Sequence, residues 1–206
     1  MPNLFYEKQH GRDAGKVICG VDEAGRGPLA GPVTAAAVIL PATLPRAITR
    51  EIRDSKKMTA QQREDLFEPL TTTCGYAIAE ATVEEIAKHN ILWASMLAMK
   101  RAVESLSAQV DVALIDGNRC PQLACQAVAI IEGDDKSLSI AAASIIAKVT
   151  RDRLMRRLAE EHPGYGWERN AGYGTREHLD ALKRLGATCW HRDSFAPIRQ
   201  LELLNG

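Results

Sequence analysis

The sequence lacks the features that would assign it to a functional class at a glance. Acidic and basic residues balance at 26 each, so net charge does not mark a nucleic-acid binder. The longest apolar run, residues 33–40, is interrupted by Thr34 and is too short to span a bilayer. Residues 1–10 contain no apolar signal core. We therefore predict a cytoplasmic protein that does not act in a membrane.

Cysteine is also used sparingly, with five residues in 206. An odd number of thiols without zinc-type spacing argues against a disulfide framework or a zinc site, and it fits reduced thiols. We find no internal repeat and no low-complexity linker. With 46% apolar residues, the chain is long enough to bury a substantial core, most simply as one domain.

Hydrophobic patterning predicts five strands, at residues 17–21, 33–40, 76–82, 110–115 and 126–131. The first two form an antiparallel pair around a proline-rich turn. Helices are predicted over residues 61–70, with Thr59 as N-cap, and over 83–89, 91–105 and 177–185. A long alanine-rich helix starts at Ser137 or Ser139 and ends near residue 160. This alternation predicts an α/β sandwich around a mostly parallel sheet.

Acidic residues follow three of these strands, at Asp22-Glu23, at Asp116 and at Asp134-Asp135. Each alone fits a turn or a helix cap, but their irregular spacing means that local turn chemistry does not explain all three together. Carboxylates that meet at one sheet edge repel one another unless cations bind. Oxygen ligands select Mg²⁺ or Mn²⁺, so the acids predict two-metal phosphoryl chemistry.

A basic stretch lies within the long helix, where residues 148–157 carry five cations and one acid. Such a stripe is either a solvated helix face or a surface for a phosphate backbone. Ser144 and Lys148 lie four residues apart, on one helix face. Lys148 therefore faces the acidic site or a phosphate, or it forms a simple salt bridge.

Five motifs together resemble ribonuclease HII, the type 2 ribonuclease H family: DEAGRGP, DSKKM, LIDGN, GDDKSLSIAAASIIAKVTRD and GYGT. The resemblance covers residues 17–195. It implies the ribonuclease H-like α/β fold, a five-stranded mixed sheet flanked by helices with a helical C-terminal segment. It implies a single domain over residues 1–206, with a catalytic α/β core over about 1–160 and a helical segment over about 161–206.

The resemblance implies an endonuclease that acts on RNA–DNA hybrids and on ribonucleotide-containing duplex DNA. Such enzymes hydrolyse the RNA strand and incise on the 5′ side of single embedded ribonucleotides, which leaves a 3′-hydroxyl and a 5′-phosphate. The implied cofactor is Mn²⁺ or Mg²⁺, two ions during catalysis. Because the sequence shows neither a heptad seam nor an exposed apolar stripe, we expect a monomer.

The resemblance also implies the site residues. The catalytic, metal-binding acids are Asp22, Glu23, Asp116 and Asp134; Asp134 is chosen over Asp135 because the family's acid directly follows a glycine. The residues implied to sense the 2′-hydroxyl are Gly25, Arg26, Gly27 and Tyr173. The residues implied to bind the duplex are Ser55, Lys56 and Lys57, and Lys148 is a further candidate from its position on the helix. Without the resemblance, residues 54–57 are a surface turn and Tyr173 is a packing aromatic.

The sequence departs from the family pattern at one place, and two alternative functions remain open. Relatives often carry His-Lys where this chain has Asn170-Ala171, so a positive charge is lost. His191-Arg192 is expected to dock the last helix. A non-catalytic nucleic-acid-binding module is the main alternative, although it would gain nothing from clustered acids. A phosphatase for small substrates would not need the basic helix or Lys56-Lys57.

Overall fold

The protein is described by a computed structural model, which covers the backbone of residues 1–205 and the side chains of residues 1–200. The strands are β1 (Ile18–Ala24), β2 (Val33–Ile39), β3 (Gly75–Ala81), β4 (Val112–Asp116) and β5 (Gln126–Ile130). The helices are α1 (Phe5–Gln9), α2 (Arg46–Glu51), α3 (Ala60–Thr73), α4 (Val83–Glu104), α5 (Gly133–Lys136), α6 (Leu138–Glu161), α7 (Trp167–Asn170), α8 (Arg176–Leu185) and α9 (Ala196–Asn205). Short 3₁₀ helices span Arg12–Ala14 and Ser55–Lys57.

The strands form one mixed sheet in the order β3-β2-β1-β4-β5. β1 pairs antiparallel with β2, as predicted, and β2 pairs antiparallel with β3. β4 lies parallel to both β1 and β5. The predicted fold class, a five-stranded mixed sheet flanked by helices, is confirmed.

Helices cover both faces of the central strands. On one face, Val38 of β2 belongs to the same buried cluster as Ile145 of α6. On the other face, Val21 of β1 belongs to a cluster with Met99 of α4. Each such buried side chain contributes about 1.5–3 kcal/mol of hydrophobic stabilisation. Burial on two sides explains why the β1 sequence shows almost no alternation of apolar and polar residues.

The contact between β1 and α6 is close because of Gly20. A Cβ at this position would lie 2.2 Å from the backbone of Ser139 and Ile140. Only glycine permits this approach. The N-terminal part of α6 is thereby held directly against the strand that carries Asp22.

Side-chain caps define the starts of α3, α4, α6 and α8. The Thr59 hydroxyl accepts from the Gln62 amide, which confirms the predicted cap of α3. Ser137, rather than Ser139, caps α6. The two helices predicted around residue 90 form α4, which is broken at Asn90, where φ is 62°. The Asn90 side chain accepts from the amides of residues 92 and 93, and so caps the second part.

Strand β1 extends to Ala24, beyond the predicted end at residue 21, so that Asp22 and Glu23 lie within its last three residues. Because β1 and β4 are parallel, Asp22 and Asp116 lie at the same edge of the sheet. The chain then returns from β5 through the short α5, which begins at Gly133 and was not predicted.

The C-terminal helices pack against the turn between β1 and β2. Leu29 and Ala30 of this turn share a buried cluster with Met155 of α6, Trp167 of α7 and Leu182 of α8. Nowhere in residues 1–205 is there a helix long and apolar enough to cross a membrane.

Candidate active site

Three acids converge at the carboxyl ends of β1 and β4. Asp22, Asp116 and Asp134 each present a ligand atom, and these atoms all lie within 4.8 Å of one another. Asp22 and Asp134 are buried, and Asp116 is partly exposed. Strand β1, strand β4 and helix α5 each contribute one acid, although 94 residues separate the first two in the sequence.

Glu23, the fourth predicted acid, lies beside this cluster rather than within it. Its carboxylate oxygens are not among the ligand atoms that lie within 4.8 Å of one another, but Glu23 borders the same cleft as Asp22 and Asp116. Its Oε1 lies 3.3 Å from Nη1 of Arg26. Its Oε2 is buried and has no hydrogen-bond partner among the side chains described.

Without a bound cation, the ionised forms of these acids are disfavoured by burial and by their mutual repulsion. Burial raises the pKa of Asp22, and the negative charges of Glu23 and Asp116 raise it further. Burial also raises the pKa of Glu23, against the opposing effect of Arg26. The pKa of Asp134 rises for the same reason, with a further contribution from Asp116. A cation bound among these groups would remove the repulsion.

The donor atoms fit a divalent metal ion. They are carboxylate oxygens, which hard cations such as Mg²⁺ and Mn²⁺ prefer. The unpartnered, buried Oε2 of Glu23 is an orphaned acceptor at the same edge of the sheet. Asp22, Asp116 and Asp134 would hold an ion directly, and Glu23 is placed to take part.

A backbone contact orients Asp116. The amide of Gly133 donates to Oδ1 of Asp116 at 2.7 Å. Gly133 directly precedes Asp134, so one turn aligns two of the acids. Sequence patterns do not indicate this contact, because it joins the end of β4 to the start of α5, which lies 17 residues further along the chain.

The lysines of the 54–57 segment lie over the acids, but not equivalently. Nζ of Lys56 lies 3.1 Å from Oδ2 of Asp134, and the Lys56 side chain is largely exposed. Burial opposes the charge of Lys56, but the Asp134 hydrogen bond and the nearby negative charges raise its pKa overall. Lys57 instead pairs with Asp135 at 3.0 Å and with Asp54 at 3.5 Å. Asp135 thus lies outside the acidic cluster, as expected from its position after Asp134.

A cleft of about 380 Å³ opens beside the acids and contains most of the predicted substrate-binding residues. Its lining includes Asp22, Glu23, Gly25, Arg26, Gly27, Ser55, Lys56, Asp116, Ser144, Lys148 and Tyr173. Two of the predicted site residues, Lys57 and Asp134, are not part of its lining. Candidate metal ligands and candidate sugar-contacting groups therefore share one cleft.

The Gly25–Gly27 loop forms one wall, and Tyr173 stands against it. Gly25 has a φ of 100°, and a Cβ there would lie 2.0 Å from Nε of Arg151, so glycine is required. A Cβ on Gly27 would lie 3.3 Å from the Tyr173 ring. Tyr173 remains 46% exposed, so its ring is available to a ligand.

Ser55 and Lys148 have partners within the protein. Ser55 is buried, and its hydroxyl lies 2.6 Å from that of Ser144 on α6. Lys148 lines the cleft and also pairs with Asp152 at 2.7 Å, so the simple salt bridge is present. The basic stretch is not a free stripe, since Arg151 is buried and Arg153 pairs with a glutamate of α3.

Asn170, where relatives often carry a basic residue, is a structural part of the Tyr173 turn. It is buried, its Nδ2 donates to the Tyr165 carbonyl, and its Oδ1 accepts from the Gly172 amide, both at 2.8 Å. Ala171 adopts a left-handed conformation with a φ of 48°. The turn that presents Tyr173 is therefore held by an amide side chain rather than by a charge.

Two buried arginines lie next to the site, and no sequence pattern indicates the role of either. Arg151 of α6 donates to the carbonyls of Ala30, Pro32 and Ala171. Arg192, which was expected only to dock the last helix, donates to carbonyls of the segment 25–32. Neither residue stands out in sequence, because a buried and an exposed arginine look the same there.

Comparison with known proteins agrees with this geometry. The family model described as ribonuclease HII matches residues 19–198. Ribonuclease HII of Paramagnetospirillum magneticum is 54% identical over 204 residues, which cover 98% of this chain and 100% of that protein.

Solved structures give the same result for the fold. The crystal structure of ribonuclease H2 from Pyrococcus horikoshii OT3 superposes with a TM-score of 0.78 at 27% identity, covering 91% of this chain and 97% of that one. Bst-RNase HIII, in complex with Mn²⁺, shares the fold with a TM-score of 0.75 at 16% identity, covering 99% of this chain and 74% of that one. The clustered carboxylates, the fold and the match over nearly the whole chain agree: this protein belongs to the ribonuclease HII family, metal-dependent endoribonucleases that act on RNA–DNA hybrids.

Proposed function

We propose that this protein incises duplex DNA on the 5′ side of a single embedded ribonucleotide, as well as hydrolysing the RNA strand of hybrids. The products are a 3′-hydroxyl and a 5′-phosphate. The observation that carries the proposal is the shared cleft: the acids Asp22, Glu23 and Asp116 line the same space as the Gly25–Gly27 loop and Tyr173, and Asp134 lies beside Asp22 and Asp116. Cleavage chemistry and sugar recognition are thus within reach of one nucleotide.

Four acids form the proposed catalytic group: Asp22, Glu23, Asp116 and Asp134. Two Mg²⁺ or Mn²⁺ ions held there would activate the attacking water and neutralise charge on the leaving oxygen. The residues themselves supply fixed negative charge in a buried place, where the interaction with a cation is strong. The raised pKa values of Asp22, Glu23 and Asp134 support this role, since a cation would restore the ionised forms.

The loop and the aromatic ring are proposed to select the ribonucleotide. Glycines at positions 25 and 27 allow the backbone to approach a sugar, and a hydroxyl at the 2′ position is what distinguishes RNA from DNA. Tyr173 can stack on the sugar of the neighbouring nucleotide. Its position against Gly27 supports a joint role for the ring and the loop.

Lys56 and Lys148 are proposed to contact phosphates, which position a duplex without reading its sequence. Lys56 has the more exposed side chain, and it lies at the mouth of the cleft beside Asp134. Ser55 is proposed to act from the cleft wall, next to Ser144. Lys57, outside the cleft lining, is proposed as an outer contact for the same backbone.

The direct test is incision of a DNA duplex that carries one ribonucleotide, with an all-DNA duplex of the same sequence as control. Reactions contain Mg²⁺, Mn²⁺ or EDTA, and the ends are identified by their mobility and by ligation. We expect a single, metal-dependent cut on the 5′ side of the ribonucleotide. Cleavage of hybrids without this cut would reject the ribonucleotide proposal, and binding without any cleavage would favour the non-catalytic alternative.

We also propose that residues 1–206 form one structural unit that is monomeric in the cytoplasm. Contacts between Arg192 and the segment 25–32 support one unit, because the C-terminal part then packs on the core. A single cooperative unfolding transition and the mass from light scattering test the two statements. Two separate transitions, or a dimer mass, would contradict them.

A further inference from the structure

Arg192 is a fully buried cation that the catalytic proposal does not use. It lies between α8 and α9, and its accessible surface is zero. Burial lowers its pKa to about 9, and the positive charge of Arg151 contributes. Burying an arginine without a carboxylate partner is costly unless every donor is satisfied. The contacts that satisfy it therefore indicate what it does.

All the described side-chain hydrogen bonds of Arg192 go to main-chain carbonyls of one loop. Nη2 donates to Gly25 at 2.6 Å, and Nη1 donates to Arg26 at 3.1 Å and to Pro28 at 2.8 Å. Nε and Nη2 also bond the carbonyl of Gly31, at 2.9 and 2.7 Å. The backbone amide of Arg192 donates to Leu29 as well. A single side chain thus donates hydrogen bonds to carbonyls at both ends of the loop.

This arrangement determines where the loop amides point. The C=O and N–H of a trans peptide project in opposite directions, and no peptide bond here is cis. Because the carbonyls of Gly25 and Arg26 point to the guanidinium, the amides of Arg26 and Gly27 point away from it. Both of those residues line the cleft. Neither amide has an acceptor within the described residues.

Two consecutive unpaired amides beside a cleft form a site for an oxygen ligand. The amide of Leu29, by contrast, donates a hydrogen bond to the Gly172 carbonyl at 2.8 Å. The loop is also confined from the other side, since Arg151 fills the space next to the Cα of Gly25. The described hydrogen bonds of the loop are therefore made to other parts of the chain, with the two arginines contacting most of its carbonyls.

We propose that Arg192 is a positioning residue for ribonucleotide selection: it turns the Gly25 and Arg26 carbonyls inward, so that the Arg26 and Gly27 amides face the sugar in the cleft. This inference rests on the proposed function, in which that loop senses the 2′-hydroxyl. Arg192 itself touches neither the acids nor the cleft. Its loss should impair discrimination between ribose and deoxyribose before it impairs metal binding.

The test measures binding, so that cleavage does not interfere. In an Asp116→Asn background, the Kd is compared for a duplex with one ribonucleotide and for the all-DNA duplex. We expect Arg192→Ala to reduce the ratio of the two affinities about tenfold, the effect of one misdirected hydrogen bond. Methylguanidinium in the buffer should restore part of the ratio, and Arg192→Lys should lie between the two.

Arg101→Ala is the matched control. Arg101 is a half-buried arginine of α4 that donates to the Glu80 carbonyl and pairs with Glu85, and it does not contact the loop. The Arg101→Ala variant should be less stable, but the ratio of its affinities for the two duplexes should be unchanged. An unchanged ratio in folded Arg192→Ala or Arg192→Lys protein would overturn the inference.

Hydrogen exchange decides the question even where the variants do not fold. In the Asp116→Asn protein, the amides of Arg26 and Gly27 should be protected by the ribonucleotide duplex and not by the all-DNA duplex. Equal protection by both duplexes would overturn the inference. If the parent protein does not prefer the ribonucleotide duplex at all, the proposed function fails first, and the two failures are thereby distinguished.

Discussion

The amide of Gly133 donates a 2.7 Å hydrogen bond to Oδ1 of Asp116, which ties the end of β4 to the turn that carries Asp134. Two acids from distant parts of the sequence are thus aligned by one backbone contact. A Cβ on Gly133 would lie 2.6 Å from Cδ1 of Ile140 and 3.1 Å from Oδ1 of Asp116. There is no room for a methyl group unless one of these neighbours moves.

Gly133→Ala should therefore reduce incision by roughly tenfold or more, since small displacements of catalytic groups are costly. The added methyl group should push Asp116 and α5 apart while the fold persists. Single-turnover rates at saturating metal measure the effect. Gly75→Ala is the matched control, because a Cβ there meets nothing closer than 3.7 Å. Equal rates for both variants would show that this alignment is not needed.

Asp116→Asn should abolish metal-dependent incision, with a loss of more than about a hundredfold, because one ligand carboxylate disappears. Asparagine keeps an oxygen to accept from Gly133, so the fold should be retained. Asp135→Asn should keep most activity, since Asp135 is half-exposed and pairs with Lys57. A comparable loss in both variants would contradict the choice of Asp134 over its neighbour. The readout is the incision rate across a Mg²⁺ or Mn²⁺ titration.

Lys56→Met should weaken duplex binding and reduce the slope of log Kd against log salt concentration by about one, as expected for one lost phosphate contact. Lys57→Met should have a smaller effect, because Lys57 lies outside the cleft lining and its charge is shared with Asp54 and Asp135. Fluorescence anisotropy over a range of salt concentrations gives both slopes. A larger effect at Lys57 would mean that the duplex follows a different path over this segment.

Tyr173→Ala should lower incision at a single embedded ribonucleotide by about tenfold, because stacking on the neighbouring nucleotide is lost. Tyr173→Phe should retain most of the activity if the ring is the main contribution. Tyr76→Ala, at another exposed tyrosine on β3, serves as control. Unchanged kcat/KM in Tyr173→Ala would remove the residue from the proposed recognition group.

Two buried histidines make the C-terminal segment sensitive to acid. Nδ1 of His178 lies 2.9 Å from the Tyr173 carbonyl, and its Nε2 lies 3.0 Å from Nε2 of His191 and accepts from the Trp167 indole. Burial lowers the pKa of His178, and it lowers the pKa of His191 to about 4, with the charge of His178 contributing. Both histidines are therefore neutral in the folded state at pH 7.

The stability that this neutral pair contributes is present above the unfolded pKa of about 6.5, and it is lost as the pH falls from there towards 4. We expect a loss of about 1–3 kcal/mol in the free energy of unfolding over this range. The site carboxylates have raised pKa values, so their contribution to stability increases as the pH falls and partly offsets the loss from the histidines. The histidine contribution is therefore isolated by comparing the protein with its His191→Gln variant. That variant should show a flatter dependence of Tm on pH; an equally steep one would refute the assignment.

Much of the fold could be predicted because its determinants are local. Apolar runs located the five strands, and Thr59 and Ser137 marked helix starts that their hydroxyl caps confirm. The break at Asn90 was also visible, since it separates two helical patterns. The short α5 was not, because four residues carry no periodicity.

The sequence by itself determined the motifs, the family resemblance and the candidate acids, because residue type and spacing are sequence properties. Only the tertiary structure decided which of those residues lie in the acidic cluster, which line the cleft and which lie outside both. Asp22, Asp116 and Asp134 form a close cluster and Glu23 lies beside it, whereas Lys57 pairs with Asp135 and lies outside the cleft lining. Burial, which depends on every packed element at once, turned Arg151 and Arg192 from ordinary cations into the residues that shape the loop beside the acids.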